Sequence, residues 1–426
     1  RTHVPARRPD VPGAMGSGCS ACTRNSRVVA CLSPRAAANA TQGVGTVGGS
    51  GEAARPRAAT EPNGPHEQHS GAASSSTTVP EASCLTIWGE ASGAWAMATD
   101  KDAVPYEQLV SRCSEDGAVP SWVGSTIAKD VPRTLLEGKP PPGTEDQEAL
   151  SRLLCALAQW DPELAYCQGM NYVARFALLA SDLNRPRTQD HSPAVGATGG
   201  SGSGTPAKSS PCGGREAATF WLVACLMWNY GARGLFLERT PLLKFYSFCL
   251  SRLLEQRLPE VHSRLQGLDD VLGYKWFGTL FTTVLPFEVA VQAWDLIFRD
   301  GLPALLRVAL GLCSLLAPTL LAAQRDGEEA AEVVGRLQRQ LPRDVAPLLP
   351  PGAVPPAEGS VDDKGQPAQA AWERTAGARL VEAAEGHGCP PPELEALLAA
   401  FRHERPGEAA DLGESFSFEA QAAPAP

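Results

Sequence analysis

An arginine and a glutamine, each in a short motif, are the residues of this sequence best suited to chemistry. Arg133 lies near the end of the motif Ile127-Ala-Lys-Asp130-Val-Pro-Arg133-Thr134, and Gln168 lies in Tyr166-Cys-Gln168-Gly-Met-Asn171. A guanidinium is always charged, and its planar fork of donors matches phosphate oxygens. A carboxamide donates and accepts hydrogen bonds, so it can orient a water molecule. Side by side, the two groups could stabilise the transition state of a phosphoryl transfer to water.

The local sequence predicts how these side chains are held. Arg133 and Gln168 fall at the predicted starts of two successive helical segments, and we expect both to project together from a rigid body into solvent. Asp130 is placed to hold Arg133 by a charge-assisted hydrogen bond. Pro132 fixes φ before the arginine and favours extended geometry at Val131. The plainer alternatives are a surface ion pair for Asp130 and Arg133, and an ordinary polar residue for Gln168.

Helical periodicity dominates the sequence from about residue 84, with no convincing alternation typical of strands. The segment from Glu145 to Trp160 puts four leucines on one face. Further helices are predicted from Gln168 to Ala180 and from Glu216 to Tyr230. Others are predicted at about 240–257, 259–267, 270–285, 287–299, 302–316 and 326–340, with weaker patterns at 368–385 and 392–402. The fold class predicted is all-α.

Composition divides the chain into three parts. Residues 1–83 form a low-complexity arm predicted to be disordered, and residues 84–342 form the helical domain. A Pro-, Gly- and Ser-rich stretch at 183–214 is a predicted disordered insertion, and residues 343–426 are a mostly disordered tail with short helices. The apolar stretch from Leu302 to Ala323 contains Arg307, Pro303 and Pro318, so we interpret it as a pair of buried helices and not as a membrane span.

Charge and cysteine usage exclude some classes of protein. The net charge of −10 argues against nucleic acid as the main partner, because phosphate binding needs clustered Lys and Arg. The 12 cysteines are scattered, and four lie in apolar helical segments, where free cysteine acts as a small hydrophobe: Cys155, Cys225, Cys249 and Cys313. This usage favours a reducing, intracellular compartment.

Three motifs in the N-terminal arm compete with plainer interpretations. Gly43-Val-Gly45-Thr-Val-Gly48 has dinucleotide-binding spacing but lacks the flanking strand and helix. Cys19 and Cys22 have metal-ligand spacing but no second pair, so no metal site is predicted. Met15-Gly16 followed by Cys19 and Ser20 fits N-myristoylation at Gly16, with Cys19 as a second acylation site, if translation begins at Met15; the alternative is flexible filler.

The ordered set of motifs resembles the Rab-GAP TBC domain family over about residues 84 to 320. The Arg133 motif looks like the family's I-x-x-D-x-x-R, and the Gln168 motif looks like its Y-x-Q. The segment from Glu216 to Trp221 is similar to the family's helix with Glu and Phe-Trp. The later matches follow in the usual order: Trp276-Phe-x-x-Leu-Phe281, Leu285-Pro286, Trp294-Asp295, Gly301 and Arg307-Val-Ala-Leu310.

The resemblance implies a helical array of the TBC type that activates a Rab-type small GTPase in vesicle trafficking. Arg133 would be an arginine finger and Gln168 a glutamine finger, supported by Asp130, Tyr166, Ile127 and Asn171. Such a protein is a GTPase activator and not an enzyme with its own substrate. It needs no cofactor, because the partner binds GTP and Mg²⁺. We expect a cytoplasmic protein, peripheral on endomembranes through its partner or through acylation.

The sequence departs from the family at three positions. Cys84 stands where the first motif, R-x-x-x-W, has its arginine, while Trp88 occupies the tryptophan position. Ala165 replaces the common glycine before Tyr166, and Arg175 replaces a small or apolar residue. The altered first motif leaves an alternative open, a non-catalytic helical module that binds a GTPase or another protein without stimulating hydrolysis. A third interpretation is a misassembled gene model whose true protein has a complete first helix.

Overall fold

The computed structural model describes residues 81–186 and 213–418, apart from positions 116, 326, 363, 364, 366, 414 and 415. The motifs of the N-terminal arm, including Gly16, Cys19 and Cys22, lie outside the described residues, as does most of the central insertion. Where the chain is described, it is built from helices, which confirms the predicted all-α class.

The described part has one short antiparallel pair of strands, β1 (Glu81–Ser83) and β2 (Asn184–Pro186). The helices in the first half are α1 Cys84–Ser92, α2 Ala94–Ala98, α3 Tyr106–Cys113, α4 Ser121–Asp130, α5 Thr144–Trp160, α6 Met170–Ala180 and α7 Arg215–Trp228. Those in the second half are α8 Pro241–Arg257, α9 Pro259–Leu265, α10 Asp269–Trp276, α11 Phe287–Asp300, α12 Ala304–Arg325, α13 Ala330–Gln340, α14 Ala368–Gly386, α15 Pro391–Glu404 and α16 Pro406–Ala409. Short 3₁₀ turns cover Val131–Arg133, Ala232–Leu235, Ala346–Leu348 and Ala410–Leu412.

Several helices start at a proline. Proline suits the first helical position, because no intrahelical hydrogen bond is lost there and its φ is already set. Four helices begin on a proline: α8, α9, α15 and α16. The predicted helix at 270–285 is wrong in its second half, since α10 ends at Trp276. Leu280 and Phe281 have φ of 48° and 63°, which no α-helix accommodates, and the chain turns there instead.

The first helix is anchored in the core in spite of its altered motif. Trp88 is fully buried, and its indole Nε1 donates a 2.7 Å hydrogen bond to Asp295 Oδ1 on α11. The Trp88 ring lies 5.5 Å from the Trp294 ring and 5.4 Å from the Phe298 ring, measured between centroids. Burial of such large rings is a major favourable term in folding. The tryptophan of the first motif therefore fixes α1 to the rest of the domain, and Cys84 is buried beside it as a small apolar residue.

The apolar stretch near residue 310 forms one helix and not the predicted pair. α12 runs through Pro318, although an interior proline costs about 3 kcal/mol. Burial of Leu316 and Leu320 on either side of the proline offsets that cost. Within the described residues one helical stretch, Ala304–Ala323, is long and apolar enough to cross a bilayer, and 61% of it is buried inside the protein. It packs against α14 as a core helix does.

The C-terminal segment is more closely packed than the expectation of a loose tail suggests. α14 packs along both α11 and α12, and a Cβ added at Gly311 on α12 would lie 2.8 Å from the Ala384 nitrogen on α14. Phe401 on α15 is fully buried, with its ring centroid 5.1 Å from that of Phe245 on α8. Residues 368–412 therefore share the core of the helical body.

The four cysteines predicted as small hydrophobes are free thiols in the structure. Cys225, Cys249 and Cys313 are buried, whereas Cys155 is half-buried. Burial raises the pKa of Cys225 to about 11 and that of Cys313 to about 12. These thiols therefore stay neutral at physiological pH, as apolar packing requires.

Candidate functional site

Arg133 lies at the end of a helix and not at the start of one as predicted. α4 ends at Asp130, and a single 3₁₀ turn, Val131–Arg133, continues from it. Val131 keeps helical angles, φ −54° and ψ −50°, so the predicted extended geometry before Pro132 is wrong. The hydrogen bond that its N–H donates to the Ile127 carbonyl outweighs the local proline bias. The Arg133 side chain is 57% exposed at the end of this turn.

Asp130 joins the two sequence motifs. Its side chain is almost completely buried. Oδ1 accepts hydrogen bonds from Arg133 Nε at 3.0 Å and from Arg133 Nη2, and Oδ2 accepts one of 2.7 Å from the Tyr166 hydroxyl. The contact predicted between Asp130 and Arg133 is thus present. The aspartate also reaches the glutamine motif, which spacing in the sequence could not show.

Tyr166 and Ile127, both predicted as supporting residues, are buried in the structure. Ile127 is fully buried, and Tyr166 is 2% exposed. Burial, and then the neighbouring charge of Asp130, raise the pKa of Tyr166 well above its ordinary value. The phenol therefore remains a hydrogen-bond donor throughout the physiological pH range.

Gln168 lies in the turn before α6, because that helix begins at Met170 and not at Gln168 as predicted. The residue is half-buried, so it is less open to solvent than expected. Gly169 follows with φ of 114°, and a Cβ placed there would lie 2.4 Å from the carbonyl oxygen of Gly278. Both the dihedral angle and the close approach require glycine. The turn after α10, which contains Gly278, therefore packs against the loop of residues 161–169 that carries Gln168 (the glutamine loop).

A second link between the motifs runs through Thr134 and Asn171. The Thr134 hydroxyl donates to the Asp130 carbonyl at 2.8 Å and accepts from Asn171 Nδ2 at 2.7 Å. Asn171 Oδ1 accepts from the Gly169 N–H at 3.0 Å. Thr134 and Asn171 are both buried. Thr134, next to Arg133, is thus hydrogen-bonded to Asn171, three residues after Gln168, and this contact brings the two motifs together.

The glutamine loop is also held where it begins. Asp161 Oδ1 accepts from the Leu164 N–H at 3.1 Å, and the Asp161 carbonyl accepts from the Ala165 N–H at 2.8 Å. Arg233 Nε donates to Asp161 Oδ2 at 2.7 Å in a largely buried ion pair. Ala165 has φ of 51°, in the left-handed region that favours glycine. Glycine at this position would adopt that angle without steric strain.

A third ionic cluster lies behind the site, at the start of α7. Glu216 Oε1 accepts from Arg152 Nη2 at 2.6 Å, and its Oε2 accepts from the Tyr106 hydroxyl at 2.9 Å. The hydrogen bonds from Arg152 and Tyr106 lower the pKa of Glu216, with that from Arg152 the larger cause. The cluster ties α3, α5 and α7 together, so Glu216 is a structural residue of the matched motif.

The site offers an exposed guanidinium at Arg133, and the half-buried Gln168 lies in a loop that buried hydrogen bonds join to the arginine motif. Within the described ranges, no group of three or more His, Cys, Asp or Glu side chains could hold a metal ion. The sequence predicted Arg133, Gln168, Asp130, Tyr166, Ile127 and Asn171 as site residues, and their chemical roles stay a prediction. Sequence reasoning missed the roles of Thr134, Arg233 and Gly169, which depend on contacts between distant segments.

A comparison with known families shows which family this chain belongs to. The model of the Rab-GTPase-TBC domain matches residues 106–321, just over half of the 426 residues. This chain belongs to the Rab-GTPase-TBC domain family. The matched region contains Asp130, Arg133, Tyr166 and Gln168. The TBC domain identified in this way ends before α13, yet α14 and α15 pack onto the same body.

Two fungal proteins are among the curated relatives that this chain matches. A TBC domain-containing protein of Schizosaccharomyces pombe is 26% identical over 253 residues, which are 57% of this chain and 27% of that protein. The GTPase-activating protein GYP5 of Saccharomyces cerevisiae is 26% identical over 205 residues, 47% of this chain and 19% of the relative. The chain therefore spans less than a third of the length of these relatives.

Two solved structures are similar to the chain. The flagellar RabGAP TBC domain of Chlamydomonas has 21% sequence identity and a TM-score of 0.46, covering 70% of this chain and 78% of that one. The Ypt/Rab-GAP domain of Gyp1p has 12% identity and a TM-score of 0.41, covering 72% and 82% respectively.

Proposed function

We propose that this TBC domain accelerates GTP hydrolysis by a Rab-type small GTPase. Arg133 and Gln168 would enter the partner's active site in trans. The observation that carries the proposal is the shared carboxylate of Asp130, which holds the base of Arg133 and the glutamine motif together. Membership of the family supports a Rab-type partner.

Arg133 would neutralise charge on the β- and γ-phosphate oxygens. Charge spreads over these oxygens as the γ-phosphoryl group is transferred to water, and an arginine finger contributes a factor of about 10³ or more to the rate. The hydrogen bonds that Arg133 donates to Asp130 restrict the arginine side chain before the partner arrives, which limits the entropy lost on insertion. More than half of the side chain is exposed, so a partner can reach it.

Gln168 would orient the attacking water. Its amide can accept a hydrogen bond from the water and donate one to a phosphate oxygen. The fixed geometry of Gly169 and Tyr166 on either side limits the movement of the loop. The chemistry then uses the GTP and Mg²⁺ that the partner binds, and we propose no cofactor for this chain itself. In this account the chain regulates the hydrolysis of another protein's nucleotide.

The test is phosphate release from a panel of GTP-loaded Rab GTPases mixed with the full chain. The proposal predicts stimulation of at least one member, and loss of most of that stimulation in Gln168→Ala. Binding of a GTP-loaded Rab without any stimulation would instead support the non-catalytic alternative. Neither binding nor stimulation across the panel would contradict both functions.

A further inference from the structure

Arg175 is a buried charged residue to which the proposed mechanism assigns no role. It lies in the middle of α6 and is only 4% exposed. Its Nη1 donates to the Thr134 carbonyl, and its Nη2 donates to the Pro140 carbonyl at 2.5 Å. One side chain on α6 thus holds both ends of the loop that follows Arg133, residues 134–140.

Burial of this guanidinium is costly, because a charged group loses its hydration when it leaves water. Burial lowers the pKa of Arg175, opposed by the more distant charge of Asp146. The hydrogen bonds to the two carbonyls offset part of the cost. An apolar residue would fill the same space without the desolvation penalty, so general packing does not explain the arginine.

Thr134, the residue next to Arg133, shows what the arrangement achieves. Its hydroxyl is bonded to the Asp130 carbonyl and to Asn171, its N–H to the Val131 carbonyl at 3.2 Å, and its carbonyl to Arg175. Each backbone and side-chain polar group of Thr134 therefore has a partner. The peptide that follows Arg133 is thus fixed by hydrogen bonds from α6 as well as from the turn that contains Asp130.

We propose that Arg175 is a positioning residue for Arg133. It sets the path of residues 134–140 so that the guanidinium of Arg133 leaves the turn in the direction needed for insertion. The proposal rests on the proposed function of Arg133. Replacing Arg175 should change the maximal rate of stimulated hydrolysis and not the affinity for the partner, because Arg175 is buried and cannot touch the partner.

The experiment uses single-turnover GTP hydrolysis by a Rab that the wild-type chain stimulates, measured over a range of chain concentrations. Arg175→Met keeps an unbranched stem but removes the guanidinium. It should lower the maximal rate about tenfold or more, because small misplacements of a catalytic group have effects of that size. The chain concentration at half-maximal rate should stay unchanged. Arg175→Lys, which can reach only one of the two carbonyls, should fall between Arg175→Met and wild type.

Two further measurements separate positioning from mere stability. In an Arg133→Ala background, Arg175→Met should cause no further loss of rate, since there is no finger left to position. Amide hydrogen exchange in residues 135–139 should speed up in Arg175→Lys, while exchange in α5 stays unchanged. Arg257→Met is the matched control, because Arg257 on α8 forms a half-buried ion pair with Glu393 on α15, outside both motifs, in which Nη2 contacts both carboxylate oxygens. It should leave the maximal rate unchanged.

The outcomes for Arg175 and for the proposed function are distinguishable. A folded Arg175→Met variant with the wild-type maximal rate would overturn the positioning role, and so would equal rate losses with and without Arg133. Failure of both Arg175 variants to fold would also overturn it, because the residue would then hold the domain and not the loop. Wild-type stimulation by Arg133→Ala alone would instead refute the proposed function, whatever the Arg175 variants do.

Discussion

Arg133 and Tyr166 share the carboxylate of Asp130. The arginine Nε lies 3.0 Å from Oδ1, and the tyrosine hydroxyl lies 2.7 Å from Oδ2. The carboxylate is buried, whereas the arginine that it holds is mostly exposed. A buried anchor with an exposed cation gives a side chain that is oriented in advance and yet available to a partner.

Removing the Tyr166 hydroxyl tests this anchor. In Tyr166→Phe the ring remains, but Asp130 Oδ2 loses its buried hydrogen bond, so we expect the free energy of unfolding to fall by about 1–3 kcal/mol. We expect stimulated GTP hydrolysis to fall about tenfold, because Asp130 can then turn away from Arg133. Denaturant unfolding and single-turnover hydrolysis measure the two effects.

Tyr230→Phe is the matched control for that variant. The buried Tyr230 hydroxyl donates a 2.9 Å hydrogen bond to the Phe298 carbonyl, far from either motif along the chain. Its loss should lower stability by a similar amount and leave stimulated hydrolysis unchanged once the folded fraction is equal. Equal rate losses in both variants would argue against a special role for Tyr166.

Gly169→Ala tests whether the glutamine loop depends on its close approach to Gly278. The methyl group would lie 2.4 Å from the Gly278 carbonyl oxygen, and φ of 114° is unfavourable for alanine. We expect a loss of stability of more than about 2 kcal/mol, and a lower maximal rate of hydrolysis. Gly352→Ala has a positive φ of 85° with no atom within 4 Å, so it should cost about 1 kcal/mol and leave the rate unchanged. Equal behaviour of the two variants would contradict the steric argument.

Ala165→Gly should stabilise the domain slightly. Its φ of 51° lies where alanine is strained and glycine is not, so we expect a gain of about 0.5 kcal/mol in the free energy of unfolding. Ala174→Gly, within α6, should instead lose about 1 kcal/mol, because glycine weakens a helix interior. Calorimetric or denaturant unfolding of the two variants gives the comparison. Destabilisation of the same size in both would show that the backbone at Ala165 is relaxed.

The sequence predicted which side chains meet near Arg133 better than it predicted the local backbone geometry. The predicted hydrogen bond between Asp130 and Arg133 is present, and the chemistry proposed for Arg133 and Gln168 stays a prediction from residue type. Helix boundaries near them were wrong, because Val131 follows its helix in spite of Pro132, and Gly169 turns the chain before α6. Boundaries depend on tertiary contacts that a propensity does not contain.

The contacts that join the two motifs could not be predicted from sequence alone. Thr134 meets Asn171, and Arg175 meets the Pro140 carbonyl, only because α6 packs beside the loop after α4. Arg175 was noticed as a departure from the family, but its partners are backbone atoms, which leave no residue pattern to recognise. The packing of α14 was underestimated for a related reason. α14 approaches α12 closely at Gly311 because that residue has no side chain, and a single glycine is not a recognisable packing motif.

Glu216 gives the domain a stability that depends on pH. Hydrogen bonds from Arg152, and then from Tyr106, lower the pKa of Glu216 from its ordinary value of 4.5. The stabilisation is therefore complete above pH 4.5 and is lost as the pH falls through the lower folded-state value. Because the pair is partly exposed, we expect Glu216→Gln to cost about 1 kcal/mol at pH 7. Unfolding curves should show this difference shrinking below pH 4.5, and a difference that grows on acidification would contradict the sign.

The proposed dual-finger mechanism is tested most directly by single-turnover GTP hydrolysis by a responsive Rab in the presence of a saturating concentration of the Arg133→Lys chain. Lysine keeps the positive charge but lacks the planar fork that could bind Asp130 and phosphate oxygens together. The dual-finger mechanism predicts that the variant still folds and binds the GTP-loaded partner, and that it loses stimulation by a factor of about 10³ or more. A folded Arg133→Lys variant that stimulates hydrolysis within a few-fold of wild type would contradict it.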